Sequence, residues 1–263
     1  MNKYLNPRNY WNRVLKIYYE LFYDLEQMRK FERQKFDQLG FQYDEALQKL
    51  DKILRDLGKS DFASQKGMGS IHWLLFCSIS NVSSIDNILE IGTYDGETTQ
   101  LLSKIFPNSS ITTIDLPHDD PLFLASYQRA DSEKTRKFKE KQKSNLFNSR
   151  IRFLEKNSFF VPGLMNQKFD LIWIDGSHLY PEIAWDICNA YHLCNIGGWI
   201  MCDDVITDKE GFRDEYVSPD SYHVLEYMKK RTRDEIIYFL KRESPEWSAD
   251  PKKRKFVAVI RKL

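Results

Sequence analysis

Residues 89–99 read Leu89-Glu90-Ile91-Gly92-Thr93-Tyr94-Asp95-Gly96-Glu97-Thr98-Thr99: an apolar run, a turn with two glycines and the start of a helix. Glycine lets backbone approach a ligand closely, and a helix N-terminus presents free N–H groups. The spacing is Gly-x-x-x-Gly. Dinucleotide binders use Gly-x-Gly-x-x-Gly, whose middle glycine admits the pyrophosphate. Glu90, at the strand end, would repel an anion and attract an amine-bearing ligand. Asp115 closes the next apolar run, 115 − 96 = 19 residues after Gly96. A carboxylate there can take two ribose hydroxyls. Together these features predict a ribose-containing ligand without a diphosphate.

Outward from this turn, short apolar runs alternate with helical stretches. Strands are expected at 88–91, 111–115, 152–154, 169–175, 199–203, 235–240 and 256–260. Helices are expected at 71–80, 97–106, 181–194 and 222–230. Near-continuous apolar strands alternating with helices imply a parallel sheet covered on both faces. Only residues 241–255 join the last two strands, too few for a parallel crossover helix, so that pair is expected to be antiparallel. The fold class is α/β: a doubly wound, mostly parallel seven-stranded sheet with its last strand antiparallel.

Ahead of the sheet, residues 8–57 look helical. Trp11, Tyr18 and Leu25 repeat every seven residues, as do Val14, Leu21 and Met28, a stripe of three heptads. Glu32 and Lys35 break the stripe, Gly40 ends the segment, and a second amphipathic piece from Tyr43 stops at Gly58. This predicts an N-terminal helical extension, 1–60, before a main domain, 61–263. The stripe should be buried against the protein itself or a second copy, so a homodimer through these helices is open.

Of the 263 residues, 39 are Lys or Arg and 38 Asp or Glu, a net charge of +1, which excludes the basic field of a non-specific nucleic-acid binder. With 42% apolar and 14% aromatic residues the chain is too rich in core-formers for disorder. It holds no apolar run of transmembrane length, and its first residues lack the apolar stretch of a signal peptide. Cys77, Cys188, Cys194 and Cys202 form no CxxC pair and read as buried thiols of a reducing compartment. These features predict a cytoplasmic protein without membrane or nucleic-acid partners. Residues 131–150 hold seven Lys/Arg against three Asp/Glu; the run reads as a solvated helix face, with a lid or an anion-docking surface as alternatives. Lys252-Lys253-Arg254-Lys255 reads as a solvated turn.

The glycine turn, Asp115, and Lys156-Asn157-Ser158 after the third strand together resemble the class I S-adenosylmethionine-dependent methyltransferases over roughly residues 64–263. The resemblance implies that Glu90, Gly92 and Gly96 surround the methionine part of the cofactor, with Tyr94 and Thr98 lining the same pocket. It also implies that Asp115 holds the ribose and that Asn157 and Ser158 contact adenine.

Two further strands end in carboxylate: Leu171-Ile172-Trp173-Ile174-Asp175-Gly176-Ser177-His178-Leu179-Tyr180 and Gly197-Gly198-Trp199-Ile200-Met201-Cys202-Asp203-Asp204-Val205. Neighbouring strands lie ~4.8 Å apart, so Asp175 and Asp203 should end side by side. Carboxylates gathered there repel one another unless some are protonated or a cation sits between them. Oxygen ligands suit a hard divalent ion, Mg2+ first. Asp203 and Asp204 can share one ion only if the chain turns between them. The spacing, 203 − 175 = 28 residues, resembles that of metal-dependent O-methyltransferases acting on catechols and macrolide sugars. The Ile-Asp-Gly-Ser-His-x-Tyr wording resembles a family related to rhamnosyl O-methyltransferases, many of which have Asp where this chain has Ser177.

By this resemblance Asp175, Asp203 and Asp204 would hold the metal, with Asp175 also at the cofactor and at the catalytic centre. His178 falls where the catechol enzymes have a catalytic Lys, and a histidine can take a hydroxyl proton near neutral pH. The reading is an S-adenosylmethionine-dependent, divalent-metal-dependent O-methyltransferase acting on a small-molecule hydroxyl, a sugar or natural-product moiety. Its rivals are a metal-independent methyltransferase of the same fold, a catalytically silent cofactor-binding protein and a nicotinamide oxidoreductase. Glu90 and the missing middle glycine count against the last of these.

Overall fold

In β4 (Phe169–Ile174 in the numbering below) successive side chains point to opposite faces of the sheet. Leu171 and Trp173 join one buried cluster, Ile172 and Ile174 the other. Helices cover both faces, which is why the run is apolar throughout. The computed structural model describes residues 14, 15, 17–125, 132–164, 166–208 and 217–263. Its strands are β1 (Asn87–Ile91), β2 (Ser110–Asp115), β3 (Ile151–Glu155), β4 (Phe169–Ile174), β5 (Cys194–Val205), β6 (Ile236–Leu240) and β7 (Phe256–Arg261). They form one sheet in the order β3-β2-β1-β4-β5-β7-β6. The first five strands are parallel and β7 is antiparallel to both its neighbours. This is the expected doubly wound sheet. The winding reverses between β1 and β4, the switch point where such sheets bind ligands beyond their carboxyl ends.

Helices α1 (Leu25–Gln38), α2 (Tyr43–Asp56), α3 (Ile71–Val82) and α4 (Glu97–Ile105) supply the cluster on one face. Helix α5 (Ser132–Asn145) lies against the turn before α4, and α6 (Glu182–Leu193) and α7 (Asp220–Arg231) cover the other face. The rings of Phe36 and Phe41 rest on Phe239 and Trp199, with centroids 5.1 and 5.4 Å apart. Helices α1 and α2 therefore share the main core. Among the described residues no helix is long and apolar enough to cross a membrane.

One expectation for the N-terminal segment needs correction. The helical stripe is interrupted: the chain leaves the helix at Phe22, and Asp24 restarts it by accepting the Gln27 N–H at 2.9 Å as the N-cap of α1. Leu25 and Met28 are half-buried, whereas Val14, Tyr18 and Leu21 are exposed on this chain. Trp11 lies outside the described residues. The break separates the first half of the stripe from the core that α1 packs on. Of the cysteines, Cys188 is exposed, not buried like Cys77, Cys194 and Cys202.

Glu32, in the middle of α1, is buried. Its Oε1 accepts Lys35 Nζ at 2.6 Å and its Oε2 accepts the backbone N–H of Leu240 at 2.9 Å. Lys35 Nζ also donates to the Tyr238 carbonyl at 2.6 Å. β6 is an outer strand of the sheet, so the ion pair satisfies a backbone donor and a backbone acceptor on an edge that would otherwise lack partners. Removing one member of a buried pair strands the other, so Glu32→Ala should destabilise the fold by roughly 3 kcal/mol. Urea denaturation measures this; a change below about 0.5 kcal/mol, the size of an ordinary surface substitution, would contradict it.

Candidate active site

Ile91, Ile174 and Cys202 lie in register across β1, β4 and β5, so Gly92, Asp175 and Asp203 follow side by side. The Gly92 N–H donates to Ile114 O at 2.9 Å, and the Asp175 N–H donates to Ile91 O at 2.8 Å. Gly92 has φ +98°, and a Cβ there would lie 2.1 Å from the Asp175 carbonyl oxygen. That approach admits glycine only. Gly96, at φ +76°, precedes the first turn of α4.

The other residues expected at the cofactor surround this turn. Asp115, at the end of β2, accepts the Tyr94 N–H at 2.7 Å and the Leu116 N–H at 2.8 Å. Glu90 is fully buried and accepts the Thr113 hydroxyl at 2.6 Å and that of Thr99. The residue reaching Glu90 is therefore Thr99; Thr98, next to it on the helix, is half-buried. Glu90 Oε1 is buried without a partner, and burial pushes the carboxyl up to about 8. Asn157 caps the turn Ser158–Phe160 by accepting the Phe159 N–H at 2.9 Å. Asp186, on α6, is a buried carboxyl pushed up to about 6 by that burial. Sequence reasoning passed over Asp186 because it sits mid-helix with no motif around it.

The charged run 131–150 also differs from expectation. One face of α5 grips the glycine turn: Lys141 Nζ donates to Asp95 Oδ2 at 2.7 Å, Gln142 Nε2 to Tyr94 O at 2.5 Å and Asn145 Nδ2 to Asp95 O at 2.9 Å. Phe138 packs edge-on against the Tyr94 ring. The remaining charges, such as Arg136 with Glu133 and Glu140, stay solvated as expected.

The carboxylate cluster departs most from expectation. Asp204 has φ +51°, and the β5–β7 pairing slips between Cys202 and Val205. The chain turns there as sharing one cation requires, but the cation is Lys241. Its Nζ donates to Asp203 Oδ2 and Asp204 Oδ1, both at 2.6 Å, and Lys255 Nζ donates to Asp204 Oδ2 at 2.8 Å. Lys241 follows β6, Lys255 precedes β7, and the Lys241 N–H donates to Lys255 O at 2.8 Å across the hairpin mouth. The expected solvated turn thus places Lys255 half-buried in the site. The donor set Asp175, Asp203 and Asp204 does not fit a divalent ion, because ammonium groups occupy both Asp204 oxygens and one of Asp203. Among the described residues no group of three or more His, Cys, Asp or Glu is placed to hold a metal. Despite its burial, Asp204 is held well below the usual carboxylate range by Lys241, His178 and Lys255.

His178 is buried, with Nε2 3.6 Å from Asp175 Oδ1 and 4.0 Å from Asp204 Oδ2. Burial alone would lower its pKa, but the nearby carboxylates of Asp175, Asp204 and Asp203 outweigh this and raise it. Asp175 is pushed up to about 7 by burial and by Asp203.

Residues 89–205 match the family model described as a methyltransferase domain. A relative from Acanthamoeba polyphaga mimivirus, "Uncharacterized protein R132", is 27% identical over 141 residues, which are 51% of this chain and 59% of that protein. The fold is shared with a solved structure from Staphylococcus aureus described as a caffeoyl-CoA O-methyltransferase, at 14% identity and TM-score 0.52, covering 80% of this chain and 91% of that one. It is also shared with one from Klebsiella pneumoniae described as an O-methyltransferase, at 15% identity and TM-score 0.50, covering 90% and 99%.

The first strand–helix turn depends on Gly92. Gly92→Ala should cost roughly 3 kcal/mol, since it sets a Cβ against a carbonyl at positive φ. Gly163→Ala is the control, because nothing lies within 4 Å of its added Cβ. Equal denaturation midpoints for the two variants would refute the contact.

Proposed function

We propose that the protein transfers the methyl group of S-adenosylmethionine to a hydroxyl oxygen of a small molecule, and that it does so without a divalent metal. One observation carries the reading: His178 stands beside Asp175 at the sheet's switch point while Lys241 takes the place between Asp203 and Asp204. S-adenosylmethionine supplies an electrophilic methyl on a sulfonium. In this reading Asp115 accepts the ribose hydroxyls, the unpartnered Glu90 Oε1 faces the ligand's ammonium, and Asn157 and Ser158 flank adenine. A C–O bond forms as the C–S bond breaks, the hydroxyl proton passes to His178 Nε2, and S-adenosylhomocysteine leaves. The protein's part is orientation, a base and a fixed positive charge on Lys241.

Calorimetry should show S-adenosylhomocysteine binding, weakened in Asp115→Ala by ~1–3 kcal/mol, the cost of hydrogen bonds lost to a buried polar group. Binding of NAD with no response to S-adenosylhomocysteine would overturn the cofactor.

Because its neighbours raise the His178 pKa, the base is protonated at low pH, and kcat/KM should climb through a midpoint above the ordinary histidine value of about 6.5. His178→Gln should lose roughly 10²–10⁴-fold in rate and lose this limb. Turnover should be unchanged in EDTA; a rate abolished by chelation and restored by Mg2+ would return the metal to the mechanism.

A further inference from the structure

Beyond His178 and Asp204 the chain opens a second space. A cavity of about 480 Å3 is lined by Asp204, Lys241, Arg242, Trp247, Lys253 and Lys255, with Val217, Glu246 and Ser248 completing it. Its inner end is the catalytic end, since Asp204 lies 4.0 Å from His178 Nε2 and Val217 bridges to His178. Four of the lining residues are cationic and two are acidic.

The cations are not equivalent. Lys241 and Lys255 are engaged by Asp203 and Asp204. Lys253 lies 4.0 Å from Asp250 at the exposed rim. Arg242 differs: its guanidinium lies over the Trp247 ring, 4.7 Å from the centroid, and its Nε is buried without a hydrogen-bond partner. Among the described residues no carboxylate comes within ion-pair distance of it. A buried donor left unpaired is costly, and a planar guanidinium offers two parallel donors to a planar or tetrahedral anion. The stacked Trp247, 44% exposed, adds an apolar wall.

We propose that this cavity is the acceptor site and that the acceptor carries an anionic group, a carboxylate or a phosphate, which Arg242 binds with help from Lys253. The group docks at the outer end and so points the acceptor's hydroxyl toward His178. This rests on the methyltransferase reading above for what happens to that hydroxyl, but the anion preference is a property of the cavity alone.

The test is a calorimetric titration of the protein with benzoate, phenyl phosphate and phenol, each with and without saturating S-adenosylhomocysteine. At least one anion should bind tenfold or more tightly than phenol, and the tighter of the two distinguishes carboxylate from phosphate. Arg242→Gln should abolish that preference. Lys253→Gln, an exposed position where folding is not at issue, should weaken the same anion about threefold. Phenol binding as tightly as the anions, binding by none of the probes, or a preference unaltered in both variants would overturn the proposal. Failure of S-adenosylhomocysteine to bind would count against the methyltransferase reading instead, since the titration without it still reads the cavity.

Discussion

The ends of β1 and β4 meet only because Gly92 has no side chain. Its α-carbon passes so close to the Asp175 carbonyl that a single added carbon would collide with it. That passage ties the first strand–helix turn to the strand carrying Asp175 and fixes which residues leave the sheet together. Asp203 follows from it by register, and Asp115 reaches the turn by accepting the Tyr94 N–H from the next strand over. Helix α5 holds the turn from outside with three side chains, so the loop is braced on both sides.

Around this fixed point the electrostatics balance locally. Two lysines opposite each other at a hairpin mouth would repel. Two adjacent carboxylates at the end of β5 would repel as well. Brought together they satisfy each other, with Asp204 bonded to both ammonium groups. His178 stands at the edge of this arrangement, close enough to Asp175 and Asp204 to favour its cationic form. The His178–Asp175 pair thus sits in a buried cluster whose other acids, Asp203 and Asp204, already face the ammonium groups of Lys241 and Lys255.

The sheet could be read from the sequence because both of its faces are covered, which turns each inner strand into a continuous apolar word. The antiparallel end was readable from the length between Leu240 and Phe256. The alignment of Asp175 with Asp203 followed from strand spacing, and so did the requirement for a turn at Asp204. What could not be read was the partner of these acids. Lys241 and Lys255 lie 37 and 51 residues from Asp204 along the chain. Nothing in their neighbours separates them from ordinary solvated lysines; only the β6–β7 hairpin brings them in. Glu32 escaped for the same reason. A lone acid in a heptad stripe reads as an interruption until the strand edge that needs it is in view. The first half of that stripe is exposed on this chain; periodicity reports an apolar face but not what lies against it.

The way α1 closes β6 also bears on self-association. A bare outer strand is a template for another strand, and fibrils grow by that route. Here Glu32 and Lys35 take up the Leu240 N–H and the Tyr238 carbonyl, so a second chain cannot extend the sheet there without breaking a buried ion pair. The exposed apolar side chains of residues 14–22 lie on the same N-terminal segment, yet they offer helix surface and not open backbone. Copies of this protein that meet on those side chains would bury apolar helix surface and would not extend the sheet at β6.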